Sequence, residues 1–166
     1  MHQHLTHTLP IFINEESEIL ILGSFPSVKS REANFYYSHP QNRFFKVLYS
    51  LFNEEYSTSI NDRKTFLMKH HIALYDVIYE CDISGSDDAS IKNVVPIDIA
   101  LVLSKYPNIR CIATTGSLAH KLFDKYLLDK VDVSKIKILN LPSTSPANAK
   151  MNVEKLVSHY NALVNI

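Results

Sequence analysis

The residues best suited to chemistry lie close together near the start of the chain. Ser24 and Phe25 lie in the turn that begins at Gly23, directly after the strand-like run Ile19–Leu22, and a ring-rich segment, Phe35–Gln41, leads to Asn42. Aromatic rings can stack on a flat heterocycle, while hydroxyl and amide groups can form hydrogen bonds with its polar edge. This combination of residue types is suited to holding a planar polar group such as a nucleobase.

A strand end and a helix start must position these side chains. The four consecutive apolar residues of Ile19–Leu22 predict a strand that is buried on both faces. Apolar residues at helical spacing predict a helix from about Asn42 to Phe52. In open parallel α/β sheets, ligands bind outside the carboxyl ends of the strands. We therefore expect the site at the carboxyl end of this first buried strand.

Further apolar runs alternate with helical stretches along the rest of the chain. Strands are predicted near residues 72–79, 109–113 and 136–139, and helices near 61–71, 96–107, 118–126 and 153–164. Asp76 interrupts the second strand, where its carboxylate is either buried near the site or caps a turn, and residues 81–90 read as a polar loop. Strands that alternate with helices favour a parallel sheet with helices on both faces. The sequence predicts one α/β domain over residues 1–166.

The composition is that of a folded domain without a strong charge. The 166 residues are 46% hydrophobic, and 17 basic and 17 acidic residues give a formal net charge of zero. This balance counts against tight non-specific DNA binding, so any DNA affinity must come from a local basic face, from hydroxyls or from backbone N–H groups. The basic candidates flank the ring-rich segment and a later loop, although a solvated surface charge is the simpler interpretation of each: Lys29, Arg31, Arg43, Lys46 and Lys150.

The cysteine and histidine content argues against a metal centre. Cys81 and Cys111 are the only cysteines, too few for the four thiolates of a typical iron–sulfur cluster. His2, His4 and His7 could form a loose metal-binding tail but are more simply a polar terminus. The sequence has no apolar run of membrane-spanning length and no signal-peptide core. We expect a cytoplasmic monomer with no metal and no other cofactor.

Two motifs make the prediction of function specific. The first is GSFPS at Gly23–Ser27, followed by YYSHPQNRFFKVL at Tyr36–Leu48, and the second is LPSTSPANA at Leu141–Ala149. Together they resemble the uracil-DNA glycosylase superfamily, and within it the hypoxanthine-DNA glycosylase (DNA-deoxyinosine glycosylase) branch. The resemblance covers nearly the whole chain. It implies a three-layer α/β/α domain around a central four-stranded parallel sheet.

The resemblance also implies an activity, namely hydrolysis of the N-glycosidic bond of a deaminated base in DNA, with hypoxanthine as the first candidate. Such an enzyme must extrude the nucleotide and bind its base in a pocket. No lysine lies in either motif core to form a Schiff base with the sugar, which favours a monofunctional enzyme. Uracil or another damaged base is the alternative within this superfamily. A non-catalytic DNA- or nucleotide-binding module is the alternative from another class.

By resemblance, Tyr37 stacks on the flipped base, because related mismatch-specific enzymes have an aromatic residue two positions before their His-Pro pair. We expect Ser24 and Phe25 to line the same pocket. Those relatives hold the catalytic water with an asparagine at the position of Phe25, whereas the hypoxanthine branch uses the asparagine of His-Pro-x-Asn, which is Asn42 here. An amide can both accept from a water and donate to it. The competing interpretation of Asn42 is an N-cap of the following helix.

The second motif is expected to contact DNA. By resemblance, its loop enters the minor groove and reaches the phosphate backbone. Ser143, Thr144 and Ser145 supply hydroxyls that can donate to phosphate oxygens. Ala147 occupies the position of a wedge residue, although its side chain is small, and Lys150 lies close by. An ordinary Ser/Thr-rich turn is the competing interpretation of this loop.

Overall fold

The computed structural model describes residues 2–84 and 87–166, and within these residues it has seven strands and six α-helices. The strands are β1 (Gln3–Thr6), β2 (Ile19–Gly23), β3 (Ile72–Asp76), β4 (Ile78–Ile83), β5 (Lys92–Pro96), β6 (Cys111–Thr115) and β7 (Lys137–Leu141). The α-helices are α1 (Val28–Ala33), α2 (Phe44–Leu51), α3 (Ile60–Lys69), α4 (Ile99–Lys105), α5 (Ser117–Tyr126) and α6 (Val153–Tyr160). Short 3-10 helices cover Asp88–Ser90, Leu128–Lys130 and Asn161–Leu163. Among the helices of these two ranges, none has the length and hydrophobicity to cross a bilayer.

The main sheet has four parallel strands in the order β3-β2-β6-β7. All five residues of β2 are buried, with Ile19 placed between Ile72 of β3 and Cys111 of β6. A central strand of a parallel sheet is covered on both faces and therefore requires a continuous apolar run. The predicted four-stranded parallel sheet is confirmed.

Helices cover both faces of this sheet and form two separate cores. Successive side chains of a strand point to opposite faces, so Ile19 and Ile21 pack against α2, α3 and α6, whereas Leu20 and Leu22 pack against α4 and α5. All four of these side chains are buried. The predicted three-layer α/β/α arrangement is confirmed.

A second sheet was not predicted from the sequence. It has three antiparallel strands in the order β1-β4-β5, and β4 begins just after β3 ends. At this junction the backbone N–H groups of Val77 and Ile78 donate to the carbonyls of Gly23 and Ser24, at 2.8 and 3.1 Å. The prediction of a loop over residues 81–90 is wrong for its first three residues, which belong to β4. The small sheet brings the N-terminal segment to the edge of the main sheet.

Two predicted helix starts also need correction. The helix predicted from about residue 61 begins at Ile60, and Ser59 caps it, because the Ser59 hydroxyl accepts from the backbone N–H of Asp62 at 3.3 Å. Pro96 ends β5 rather than opening a helix, and Asp98 caps α4 through its carboxylate. Ser and Asp side chains are favoured at this position because they satisfy N–H groups that have no partner inside the helix.

Candidate active site

A cleft of about 560 Å³ opens at the carboxyl ends of the parallel strands. Ser24 and Phe25 line it from the turn after β2, Tyr37 and Asn42 line it from the segment between α1 and α2, and residues 143–147 line it from the loop after β7. The structure therefore brings the predicted base-binding and catalytic residues together with the second motif. Lys150 is exposed and lies outside the lining of the cleft.

Gly23 and Asp76 form part of the wall where β2 and β3 end side by side. A Cβ atom on Gly23 would lie 2.6 Å from Oδ1 of Asp76 and 3.5 Å from the hydroxyl oxygen of Tyr37. Real Cβ atoms essentially never approach another heavy atom as closely as 2.6 Å. The absence of a side chain at residue 23 thus allows the carboxylate and the phenol to reach the strand end.

A Gly23→Ala variant is expected to lose about 1–3 kcal/mol of unfolding free energy, as typical for overpacking of a tight interior. The added methyl group must displace the Asp76 carboxylate or the strand. Urea denaturation measures this loss, with Ser24→Ala as the neighbouring control, which adds no atoms. Equal midpoints for the two variants would show that the carboxylate moves aside without cost.

His7 holds the other oxygen of the same carboxylate. Its Nε2 forms a hydrogen bond of 2.8 Å with Oδ2 of Asp76, and its side chain is fully buried. The ring packs against Phe25, Tyr36 and Tyr75, with centroid distances of 5.9, 6.1 and 4.8 Å. The interpretation of His7 as part of a polar terminus is therefore wrong.

The sequence does contain a signal for this histidine. Leu5, His7 and Leu9 alternate at a spacing of two, which places the three side chains on one face of an extended segment. Leu9 is buried and Leu5 is partly buried. The alternation predicts that His7 points inward, and the open alternative for Asp76 is decided in favour of a buried, hydrogen-bonded carboxylate.

The ring of Tyr37 is held on one face and at its tip. It stacks on Phe44 with centroids 3.7 Å apart and an interplanar angle of 11°, and its hydroxyl lies 3.2 Å from Oγ1 of Thr115. The φ of Tyr37 is +54°, which is rare for a bulky residue and requires support from its surroundings. Burial and, next, the Asp76 charge raise the pKa of the Tyr37 hydroxyl well above its usual range, although the Thr115 bond lowers it. The phenol therefore stays protonated at neutral pH.

Asn42 uses one oxygen for two hydrogen bonds. Its Oδ1 accepts from the backbone N–H of Phe44 at 2.9 Å and from the hydroxyl of Thr144 at 2.8 Å. Phe44 is the first residue of α2, so the capping interpretation of Asn42 is correct in part, while Arg43 occupies the N-cap position without a side-chain cap. Capping uses only the amide oxygen and leaves Nδ2 for another role.

Thr144 does not lie where the sequence prediction put it. Its side chain is 2% exposed, and its hydroxyl donates to Asn42. It therefore cannot be one of the exposed hydroxyls that we expected to reach phosphate, and that prediction is wrong for Thr144. Its position inside the loop follows from its hydrogen bond across the two motifs, a partner that local sequence does not reveal.

Arg43 joins the two motifs. Its backbone N–H and its Nε donate to the carbonyl of Thr144 at 3.1 and 3.3 Å, and Nη2 donates to the carbonyls of Ser145 and Asn148 at 2.8 and 3.1 Å. Nη1 donates to the carbonyl of Met151. A guanidinium has five N–H donors in a fixed planar arrangement, which suits several convergent carbonyls. Arg43 is thus a clamp on the second motif rather than a solvated charge.

The rest of the second motif is ordered by local turns. The Ser143 hydroxyl accepts from the backbone N–H of Ser145 at 3.1 Å, and the Ser145 hydroxyl accepts from that of Ala147 at 3.2 Å. In both residues the hydroxyl oxygen acts as the acceptor, which leaves its O–H able to donate. Tyr160 of α6 supports the loop from below by donating to the carbonyl of Pro142 at 2.6 Å. Ala147 is exposed, as a DNA-contacting position requires.

Two further observations concern charge and metal binding. Arg31 lines the cleft, with its guanidinium carbon 5.9 Å from the centre of the Phe25 ring, whereas the other four predicted basic residues are not part of the lining. Within residues 2–84 and 87–166, no three His, Cys, Asp or Glu side chains are grouped so that they could hold a metal ion.

Comparisons with known proteins show which family the sequence matches. Residues 10–164 match the family model described as the uracil DNA glycosylase superfamily. A hypoxanthine DNA glycosylase from Methanosarcina acetivorans is 30% identical over 144 residues, which are 86% of this chain and 88% of that protein. A hypoxanthine DNA glycosylase from Methanosarcina barkeri is 32% identical over 108 residues, 64% of this chain and 68% of that protein.

A solved structure extends the similarity to the fold. The solution NMR structure of a candidate uracil DNA glycosylase from Methanosarcina acetivorans has a TM-score of 0.77 and 25% sequence identity, and the match covers 99% of both chains. The family model likewise extends over nearly all of the sequence, from residue 10 to residue 164. The relationship that the two motifs indicated is therefore confirmed, and this protein belongs to the uracil DNA glycosylase superfamily.

Proposed function

We propose that this DNA glycosylase removes deaminated bases from DNA and that hypoxanthine, in deoxyinosine, is its principal substrate. The observation that carries the proposal is the convergence of Tyr37, Asn42 and the loop at 143–147 on one cleft at the strand ends. The two relatives named hypoxanthine DNA glycosylases support the choice of base. That the enzyme acts as a monomer in the cytoplasm, without a metal or other cofactor, stays a prediction.

The reaction breaks the bond between C1′ of the sugar and N9 of the purine. The electron pair leaves with the base, the sugar becomes cation-like, and a water oxygen then bonds to C1′ while its proton is released. The flipped base would stack on Tyr37, whose far face is already supported by Phe44. Ser24 and Phe25 would border the base, and Asn42 would act on the reacting groups.

Asp76 supports the choice of a deaminated purine over adenine. Its carboxylate borders the cleft and is held in place by His7. Hypoxanthine carries an N–H donor at N1, where adenine has a lone pair, so a carboxylate acceptor attracts the deaminated base and repels the normal one at that atom. Discrimination by such polar groups is stronger than discrimination by shape alone.

The loop after β7 would contact the DNA backbone. Ser143 and Ser145 keep O–H groups that can donate to phosphate, and Lys150 is an exposed cation just beyond them. Ala147, which is exposed in the same loop, would lie beside the base stack. Contacts of this kind fix the register of a protein on a duplex without reading its sequence.

A panel of duplexes tests the substrate assignment. Each duplex carries one inosine, uracil or xanthine, or only normal bases, and the rate of abasic-site formation is measured for each under single-turnover conditions. We expect the fastest excision from the inosine duplex and none from the normal duplex. Faster excision of uracil would favour the uracil alternative, and tight binding without excision of any base would favour a non-catalytic module.

A Tyr37→Ala variant is expected to bind inosine-containing duplex more weakly by about 1–3 kcal/mol, the usual contribution of base–aromatic stacking. Tyr37→Phe is the matched control, since it keeps the ring and removes only the hydroxyl contact with Thr115. Fluorescence anisotropy measures both affinities, and thermal unfolding reports on the fold. An unfolded Tyr37→Ala protein would identify Tyr37 as a core residue instead, and an unchanged affinity would remove it from the base pocket.

A further inference from the structure

We infer that Asn42 faces the departing base as a hydrogen-bond donor, through Nδ2, and that Thr144 is the positioning residue that keeps it in this orientation. The inference rests on the proposed function, because it assigns a role in base excision. It differs from the expectation that the amide orients the attacking water by both accepting a hydrogen bond from it and donating one to it.

The orientation of the Asn42 amide is decided by a group that can only donate. The backbone N–H of Phe44 lies 2.9 Å from one end of the amide. A second N–H group cannot accept that hydrogen bond, so the end next to Phe44 must be the oxygen. Nδ2 is then the end that is not committed to the start of α2.

Thr144 fills the remaining capacity of that oxygen. Its hydroxyl lies 2.8 Å from Oδ1, and a carbonyl oxygen has two lone pairs. With both lone pairs occupied, Asn42 can accept from a water only by breaking one of its two bonds within the protein. The two N–H groups on Nδ2 carry no such restriction, and Asn42 lies in the lining of the cleft.

The position of Thr144 is itself fixed. Its side chain is 2% exposed, and its carbonyl accepts from both the backbone N–H and Nε of Arg43, the residue next to Asn42. The clamp therefore fixes the backbone from which the hydroxyl reaches Asn42, while burial and the branched Cβ restrict rotation of the side chain. Such prior ordering is what makes a donor effective, since it need not reorient while the reaction proceeds.

A hydrogen-bond donor next to the base stabilises the charge that develops on the leaving group. When the C1′–N9 bond breaks, its electron pair moves into the purine and is shared among the ring nitrogens and the carbonyl oxygen. An N–H group aimed at one of these acceptors binds the departing base more strongly than the neutral nucleotide, which lowers the barrier. Water then adds to C1′, and its proton goes to solvent or to the released base.

The Asn42→Asp variant distinguishes a role of Asn42 as a hydrogen-bond donor to the base from a role as an acceptor from water. The aspartate keeps an oxygen for Phe44 and Thr144 but loses both N–H groups, so we expect its single-turnover excision of hypoxanthine to fall about 10²–10³-fold, as when one positioned donor is removed from an active site. Asn42→Ser should be similarly slow. An Asn42→Asp rate near that of the wild type, with Asn42→Ser slow, would overturn the donor assignment, because a carboxylate can still accept from water.

Thr144→Val and Thr144→Ser test the positioning role. Valine keeps the shape and removes the hydroxyl, and we expect a rate of the chemical step about three- to tenfold lower, the value of one hydrogen bond, with unchanged affinity for inosine duplex. Serine should restore the rate. Equal rates for the valine variant and the wild type, or a valine defect that serine does not relieve, would contradict this role.

These outcomes are distinct from failure of the proposed function. If the wild-type enzyme released no hypoxanthine, the substrate assignment would fail before any variant was compared. If the wild type were active and Asn42→Ser equally fast, Asn42 would have no catalytic role and the donor inference would fall with it. Only a slow Asn42→Ser variant beside a fast Asn42→Asp variant contradicts the donor inference alone.

Discussion

An Asn42→Ser variant is expected to remain folded and to bind inosine-containing duplex, yet to excise hypoxanthine about 10²–10³ times more slowly than the wild type. The serine hydroxyl is short but can still accept from a nearby backbone N–H, so much of the support for the start of α2 is kept. It lacks an amide that could reach the base. Single-turnover kinetics with enzyme in excess measure the chemical step without interference from product release.

The capping and the catalytic interpretations of Asn42 predict different excision rates for the Asn42→Ser variant. If Asn42 only capped the helix, Asn42→Ser would leave both the unfolding free energy and the excision rate nearly unchanged, because serine caps about as well as asparagine. If Asn42 is catalytic, the unfolding free energy stays nearly unchanged while the excision rate falls. Thermal unfolding, duplex affinity and excision rate should therefore be measured on the same preparation. A rate near that of the wild type would exclude Asn42 from catalysis and direct attention to Asp76.

Replacement of Arg43 by methionine is expected to cost at least about 3 kcal/mol of unfolding free energy. The side chain donates to four backbone carbonyls in the second motif, and single hydrogen bonds to a charged group contribute about 1.5–3 kcal/mol. Lysine would recover only part of this loss, since it lacks the planar set of donors. The excision rate should fall as well, because the clamp holds Thr144 against Asn42.

Lys46→Met is the matched control for Arg43→Met. Lys46 is an exposed residue of α2, the helix that begins directly after Arg43, and exposed substitutions usually change stability by less than about 0.5 kcal/mol. Both variants remove one positive charge, so the comparison isolates the hydrogen bonds of Arg43. Urea denaturation with equal m-values gives the difference. Similar midpoints for the two proteins would show that the carbonyls of the loop find water as an equivalent partner.

The central sheet could be predicted because the hydrophobic pattern of its strands lies within short stretches of sequence. The run Ile19–Leu22 has the continuous hydrophobicity that a strand buried on both faces requires, and its carboxyl end identifies the edge where a cleft forms. The helix at Phe44–Leu51 follows in the same way from the spacing of its apolar residues. Short-range patterns thus account for the sheet and for the position of the site. The roles of Tyr37, Asn42 and the second motif were predicted from the family resemblance instead.

The polar contacts of the site could not be predicted in this way. His7 and Asp76 are 69 positions apart, and Arg43 reaches carbonyls more than 100 positions away. The sequence shows a donor or an acceptor at each position, but the partner is decided by how β1 and the loop after β7 fold back onto the strand ends. For the same reason the sequence predicts a DNA contact for Thr144, whereas in the structure its hydroxyl donates to Oδ1 of Asn42.

The small antiparallel sheet was missed for a related reason. In β4, Ile78, Cys81 and Ile83 are buried, while Tyr79, Glu80 and Asp82 are partly or fully exposed. A strand that is covered on one side only lacks the continuous run of apolar residues that identifies the buried strands of the parallel sheet. The consequence for the site is direct, since pairing of β1 with β4 leads His7 to Asp76.

The most direct test of the account identifies the product released from an inosine-containing duplex. The enzyme is incubated in excess over the duplex with a chelator present, and the released base is identified by chromatography with mass detection. We expect free hypoxanthine in an amount equal to the abasic sites, with strands that break only after alkali and with no complex trapped by borohydride. Bound duplex from which no hypoxanthine is released would contradict the assignment of this cleft to hypoxanthine excision.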